Sequence, residues 1–585
     1  MYRQSALYRT MLKEHSSEQI NGIFQEVLKK CEIYDVDDFI KNYKKDYDEK
    51  TIVQAVKCVT LLDLDIKNDL SYYILNKYIL NNMYLDLICE YPCIVKTVEN
   101  LCKNKNFLTN EQLLYITSHM KITELNLKIG YFQRHSNTVT DEGLKNCVNL
   151  LKLNVSEESL ITNKGLKYCT NLQVLIASSN HNISSCEPFA KTLIELDASN
   201  DCGIHNYSLR SCVNLQKLNA EGNPFITTCE YFATSLLELN ASSFSRMLCN
   251  ISDISLVNCV NLRKLIANNN RGITTCEPFC NSLRELIATG ENCGISDKGI
   301  QNCINLEVLH TFGNKKITTC EPFKNSLLEL EASHDSKIDD EGIKNCISLQ
   351  KLNANYNSNI TKCSHFAKNL IELCARGYCG LDDKELSNCI HLRKLDAYNN
   401  SKITTCRPFG QSLVELDASQ MCGIDDYGLK NCLNIEILNA SGNSKITTCS
   451  PFSSTLVELN ANYFANLICG IDDKGLQNCH NLQKLDAYGN PKITTCNSFS
   501  KLINLSAGGN CGIDNKGLQH CKGLQFFVCS GNPKITTCQP FVESLITLYA
   551  CYNCGLTNEE IKKCINLKKF YTCENKSITV ENLYF

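Results

Sequence analysis

One phrase repeats through most of this 585-residue chain, and a chain written that way has few means of burying its apolar side chains. From about Ile122 onward the text NCxNLxKLDAxxNxKITTCxPFxxSLxELxASxxCGIDDKGL recurs, with x variable. After Cys147, the NC cysteines Cys169, Cys212, Cys259, Cys303, Cys346, Cys389, Cys432, Cys479, Cys521 and Cys564 follow one another at 42 to 47 residues, most often 43. The ITTC cysteine (Cys186 through Cys538) lies 17 residues after the NC cysteine in all nine periods, so insertions are confined to the stretch after ITTC. A period of this size means a stack of supersecondary units, each covering its neighbour's apolar side because none can bury its own.

Each period holds two phrases of the form LxxLxA, such as Leu392, Leu395, Ala397 and then Leu413, Leu416, Ala418. Their spacing of 21 and 22 residues is that of a leucine-rich repeat, and the alternation puts Leu, Leu and Ala on one side of a short strand. Counting gives 21 such phrases, from Ile122 to Leu567. Asn follows the first phrase at a fixed offset (Asn180, Asn223, Asn400, Asn532), where its amide can satisfy backbone groups of successive coils. Behind the strands, IDDKGLxNC offers an Asp N-cap and a short helical turn, as at Asp425 to Asn431 and Asp472 to Asn478. ITTCxPF, with β-branched residues and proline, predicts an extended or 3₁₀ segment. The expected fold is α/β: a leucine-rich-repeat solenoid over 121–580, its curved parallel sheet on the concave side and short helices and extended segments on the convex side.

The phrase CxNLxKL followed by IxDxGLxxC is similar to the cysteine-containing leucine-rich repeats of F-box adaptor proteins. The PFxxSLxEL half resembles the FNIP-type repeats of amoebae and their giant viruses. The resemblance covers about three quarters of the chain and implies the fold far more strongly than a function, because such repeats serve many partners.

The chain has 38 cysteines, so disulfides and zinc both have to be tested by geometry. Cysteines of one class are two strand spacings apart, roughly 10 Å, which is beyond the reach of a disulfide. A third class (Cys202, Cys249, Cys293, Cys379, Cys422, Cys469, Cys511, Cys554) precedes the NC cysteine by ten residues, and Lys337 is read as standing in its place in the 320–346 unit. The candidate for zinc spacing is Cys89 and Cys93 with Cys102, and no two CxxC pairs occur together as a zinc site requires. The cysteines are therefore expected to be reduced, buried, small apolar fillers, with no metal or cofactor.

The outward strand positions carry the surface on which a solenoid acts. One of them alternates between Lys (Lys152, Lys217, Lys264, Lys351, Lys394, Lys484, Lys569) and Glu (Glu195, Glu238, Glu285, Glu329, Glu372, Glu415, Glu458) on successive strands. Such a row neutralises itself, and with a net charge of -3 it argues against a nucleic-acid partner. The row is interrupted twice. Around Leu306 the outward residues become Val308 and His310, with Phe312 just beyond the strand. Toward the C-terminus they become Phe526, Val528, Ile546, Tyr549 and Tyr571. Exposed aromatics on neighbouring strands are candidate hot spots for a protein partner.

Residues 1–120 lack the repeat and read as several helices that cap the first coil, with Ile20, Ile23, Val27 and Leu28 at helical spacing. Residues 70–101 have the loose outline of an F-box, which in the resembled adaptors docks a ubiquitin-ligase linker subunit. The opening Leu-Pro and the closing Trp of that motif are absent. Residues 581–585, ENLYF, match the start of a tobacco etch virus protease site and read as an expression scar. The N-terminus has no apolar signal core and no stretch is long enough to span a membrane, so a cytoplasmic protein is expected, in the host cytoplasm if viral. No phosphate loop, zinc spacing or nucleophile elbow appears. The expected function is a non-enzymatic interaction scaffold that holds a protein partner on its concave or C-terminal surface, with a ubiquitin-ligase substrate adaptor as the alternative.

Overall fold

The computed structural model describes Cys102, residues 108–129, 139–157, 159–244 and 247–575, and Ile578. The F-box outline, the helices expected before residue 101 and the ENLYF scar lie outside the described residues. The chain divides into two compact units, Met1–Leu262 and Arg263–Phe585.

In the first unit, helix α1 (Asn110–His119) precedes six strands: β1 (Glu124–Asn126), β2 (Lys152–Asn154), β3 (Val174–Ile176), β4 (Glu195–Asp197), β5 (Lys217–Asn219) and β6 (Glu238–Asn240). Consecutive strands pair in parallel and in register, Glu124 with Lys152 and Glu195 with Lys217. The second unit holds fifteen more, from β7 (Lys264–Ile266) to β21 (Lys569–Tyr571), paired in chain order in the same way. Every LxxLxA phrase is thus a three-residue strand in leucine-rich-repeat architecture, its centre buried in all but the last, where Phe570 is half-buried.

The core of each coil follows from the phrase. Leucines before and within the strand are buried, Leu392 at 0 % and Leu395 at 1 % exposure, and the Ala that follows them is fully buried. Behind the strands, the expected 3₁₀ segment forms at Glu321–Phe323 and Arg407–Phe409, with proline in its first turn and the phenylalanine buried. The aspartate-capped segment is a one-turn helix at Asp340–Ile343 and Asp383–Leu386. At Asp425 and Asp472 the cap bonds to Gly428 N and Gly475 N form at 2.8 Å, but the expected helical turn is a run of hydrogen-bonded turns. Four residues sit at the border between those two states.

The asparagine ladder does what its spacing required. Asn400 Nδ2 donates to Ala375 O of the previous double repeat at 2.7 Å, and its Oδ1 accepts from Lys402 N at 3.0 Å. Asn223 and Asn532 reach back to Ala198 O and Ala507 O in the same way.

All 34 described cysteines are free thiols, and 31 of them are buried. One assignment changes. Ten residues before Cys346 stands Ser336, which is 1 % exposed, whereas Lys337 is exposed. A lysine could not enter this corner, because its ammonium would be buried without a partner. Ser336 hydrogen-bonds Thr311 at 3.0 Å, and Thr311 itself replaces the Ala of its phrase.

Candidate functional site

The repeat fixes which side chains reach solvent. Along the outward strand positions, Lys217 meets Glu238 at 2.7 Å, Lys264 meets Glu285 at 2.8 Å, Lys351 meets Glu372 at 3.1 Å, Lys394 meets Glu415 at 2.7 Å and Lys484 meets Glu458 at 3.0 Å. These charges are satisfied by one another, which leaves the interruptions as places where surface remains for a ligand.

At the C-terminal interruption, β19 (Phe526–Val528), β20 (Thr547–Tyr549) and β21 lie side by side, with Phe526 opposite Thr547 and Val528, Tyr549 and Tyr571 in one register row. Phe526 and Tyr549 rings lie 5.5 Å apart, and Tyr549 stacks on Tyr571 at 4.3 Å and 12°. Tyr571 is 43 % exposed, while Phe526, Val528 and Tyr549 are half-buried. Desolvation in the stack, with the Tyr571 hydroxyl beside it, pushes the Tyr549 phenol above its ordinary value. The arrangement offers ring faces and two phenol hydroxyls, which suits binding and provides no nucleophile or proton carrier poised near neutrality.

The other interruption is assembled differently from its sequence reading. On β9 (Val308–His310), Val308 stands in the lysine position of the ladder, and His310, two residues on, reaches diagonally so that its Nε2 lies 3.2 Å from Glu329 Oε1 on β10 (Glu329–Glu331). Val308 is half-buried between Glu285 and Glu329 in the strand register. Phe312, 45 % exposed, turns away to begin a second row. Its ring is 4.8 Å from His334, His334 is 4.9 Å from Tyr356, and Tyr356 is 5.5 Å from Tyr378. His334 and Tyr356 are both left-handed, at φ of 55° and 57°, where other coils use Gly313 or Gly377. The C-terminal and Phe312 groups are ten strands apart and form no common site.

His334, Tyr356 and Tyr378 were missed in the sequence, although they are spaced by 22 residues and the first two share one offset past their strand phrases, with Tyr378 one residue further on. A further apolar group lies on the four-residue insertion after β16 (Glu458–Asn460). Phe464 and Leu467 bond each other's backbones at 3.0 and 2.8 Å around Ala465 and Asn466, both left-handed, so the insertion closes a two-residue hairpin that exposes Phe464.

No family model matches the sequence, and no curated protein matches it. Among solved structures, the chain is similar to an internalin of Listeria monocytogenes strain 4b F2365, with 20% identity over 63% of this chain and 89% of that one and a TM-score of 0.30. It is also similar to a leucine-rich-repeat protein of Leptospira interrogans, with 18% identity over 63% of this chain and 92% of that one and a TM-score of 0.40.

Proposed function

We propose that the chain is a non-enzymatic scaffold that binds a protein partner through the ring surface of its last three strands. The observation that carries this reading is the Phe526, Tyr549 and Tyr571 stack, which stands outward on the sheet where the paired lysines and glutamates stop. Rings held against one another lose little conformational freedom when covered, and a covered aromatic ring contributes about 2 kcal/mol or more at a hot spot. Val528 widens the patch beside Tyr549, and the exposed Phe312 row is a separate surface for the same kind of partner.

Affinity purification of the full chain from its native cell, followed by binding measurements on the captured protein, tests the reading. Tyr549→Ala with Tyr571→Ala is expected to weaken binding by more than about tenfold and leave the melting temperature nearly unchanged. A double variant that melts early yet keeps its affinity would assign the rings to capping the last coil. Capture of a ubiquitin-ligase linker subunit, lost on Leu70→Glu, would instead make the chain a substrate adaptor.

A further inference from the structure

Most cysteines of this chain are arranged so that no disulfide can form between members of one class, since two strand spacings separate them. Cys551 and Cys573 are placed differently. Strand pairing continues past β20 and β21: Ala550 N donates to Tyr571 O at 2.9 Å and Tyr552 N donates to Cys573 O at 2.7 Å. Cys551 therefore faces Cys573 at the same offset that pairs Tyr549 with Tyr571. In-register neighbours lie one strand spacing apart, about 4.8 Å between Cα atoms, within the ~4.4–6.8 Å window of disulfides. Cys573 N lies 3.1 Å from Cys551 Sγ, and the two thiols hydrogen-bond each other, which pushes Cys573 up. Cys573 is exposed to solvent and Cys551 is 9 % exposed just beneath it.

Other close pairs show why access decides: Cys363 Sγ and Cys389 Sγ lie 3.8 Å apart, both 0 % exposed. Cys529 Sγ and Cys554 Sγ are 3.1 Å apart, but these residues are 0 % and 2 % exposed, so an oxidant in water cannot reach them.

The geometry points to Cys551 and Cys573 as an oxidation site, at which a peroxide joins the last two strands by a disulfide. The exposed Cys573 thiol gives its proton to solvent, its thiolate attacks the peroxide O–O bond and becomes a sulfenic acid, and the peroxide's other oxygen leaves as hydroxide, which takes up that proton to become water. The Cys551 thiol then attacks that sulfur, the S–S bond forms, the S–O bond breaks, and the hydroxyl departs with the thiol proton as a second water. The peroxide is reduced and the two thiols together lose two electrons. The bond would lie two residues beyond Tyr549 and Tyr571 on the same strands, tying the end of the ring stack covalently.

The test treats the full, reduced chain with hydrogen peroxide at pH 8, alkylates it under denaturing conditions and maps the peptides by mass spectrometry. The expected product is a 551–573 cross-link with two of the 38 thiols lost, restored by dithiothreitol. Cys573→Ser should abolish the cross-link with an unchanged melting temperature, since its side chain is on the surface. A cross-link between Cys529 and Cys554, a Cys573-linked dimer, over-oxidation of Cys573 without a cross-link, or no loss of thiols would each overturn the assignment.

Discussion

Thr311 and Ser336 show how one corner of the coil accepts different chemistry only in matched pairs. In the neighbouring double repeats the same two positions hold Ala354 with Cys379 and Ala397 with Cys422, and near the C-terminus Cys529 with Cys554. Thr311 Oγ1 lies 3.0 Å from both Ser336 Oγ and Glu331 O, and both residues are buried. Thr311→Ala removes the hydroxyl that Ser336 bonds, so a stability loss of about 1–3 kcal/mol is expected. Adding Ser336→Cys restores the pairing used elsewhere and should recover most of that loss in urea denaturation. Additive losses in the double variant would mean that the two positions are not coupled. This pairing was not legible in the sequence, because the partners are 25 residues apart and belong to different motif words. The Asn ladder was legible, since one residue type at one offset in every period admits a single repeated role.

At the scale of the coil, the words IDDKGL and ITT turn out to be two halves of one clamp. The first aspartate caps its own turn, and the second reaches the next coil, where Asp426 Oδ1 accepts from Thr447 N at 2.8 Å and Thr448 N at 3.2 Å. Asn110 holds Thr140 in the same manner, Thr140 N donating to its Oδ1 at 2.8 Å, so the clamp already operates from α1, in the stretch that read as non-repeat. The glycine of the word sits where a Cβ would stand 2.2 Å from Thr404 O, as at Gly428. Two coils carry serine there, and its hydroxyl donates to the equivalent carbonyl: Ser208 to Ser184 O at 2.6 Å and Ser255 to Thr227 O at 2.7 Å. Gly428→Ala should therefore destabilise by about 1–3 kcal/mol through overpacking, and Gly428→Ser by distinctly less, because both bring the same Cβ but the serine hydroxyl adds a hydrogen bond that offsets part of its cost. Equal losses in thermal melts would show that the contact is purely steric. The clamp escaped the sequence reading because a fixed IDD fits a helix cap by itself, and the ring row Phe312, His334, Tyr356 and Tyr378 escaped because its members come from variable positions of single coils, His334 and Tyr356 standing where other coils have glycine or asparagine.

Across the whole molecule, the thiols set a limit on the alkaline side. Burial pushes Cys202 and Cys422 up to about 12, and Cys249, Cys379, Cys469 and Cys511 up to about 11, against an ordinary thiol value of 9.0. Each is neutral in the folded chain at a pH where the unfolded chain has already released the proton. The folded value is the raised one, so the stability these groups confer is fully present below pH 9 and is lost as the pH climbs toward 11 and 12. Every such thiol contributes a slope of about 1.4 kcal/mol per pH unit in that window, and several act together. The lysines of the charge ladder, Lys217, Lys351 and Lys394, are also shifted upward by their glutamates, and they add to the loss only above their ordinary 10.5. The apparent melting temperature, followed by circular dichroism under a reductant, should stay level from pH 7 to about 8.5 and then fall steeply before the lysines begin to titrate. Returning the sample to pH 7 should restore it, since no bond is made or broken. A profile that stays flat to pH 10.5 would mean that these thiols are either open to water or already oxidised, and either result would remove the buried-filler role that the repeat assigns to them.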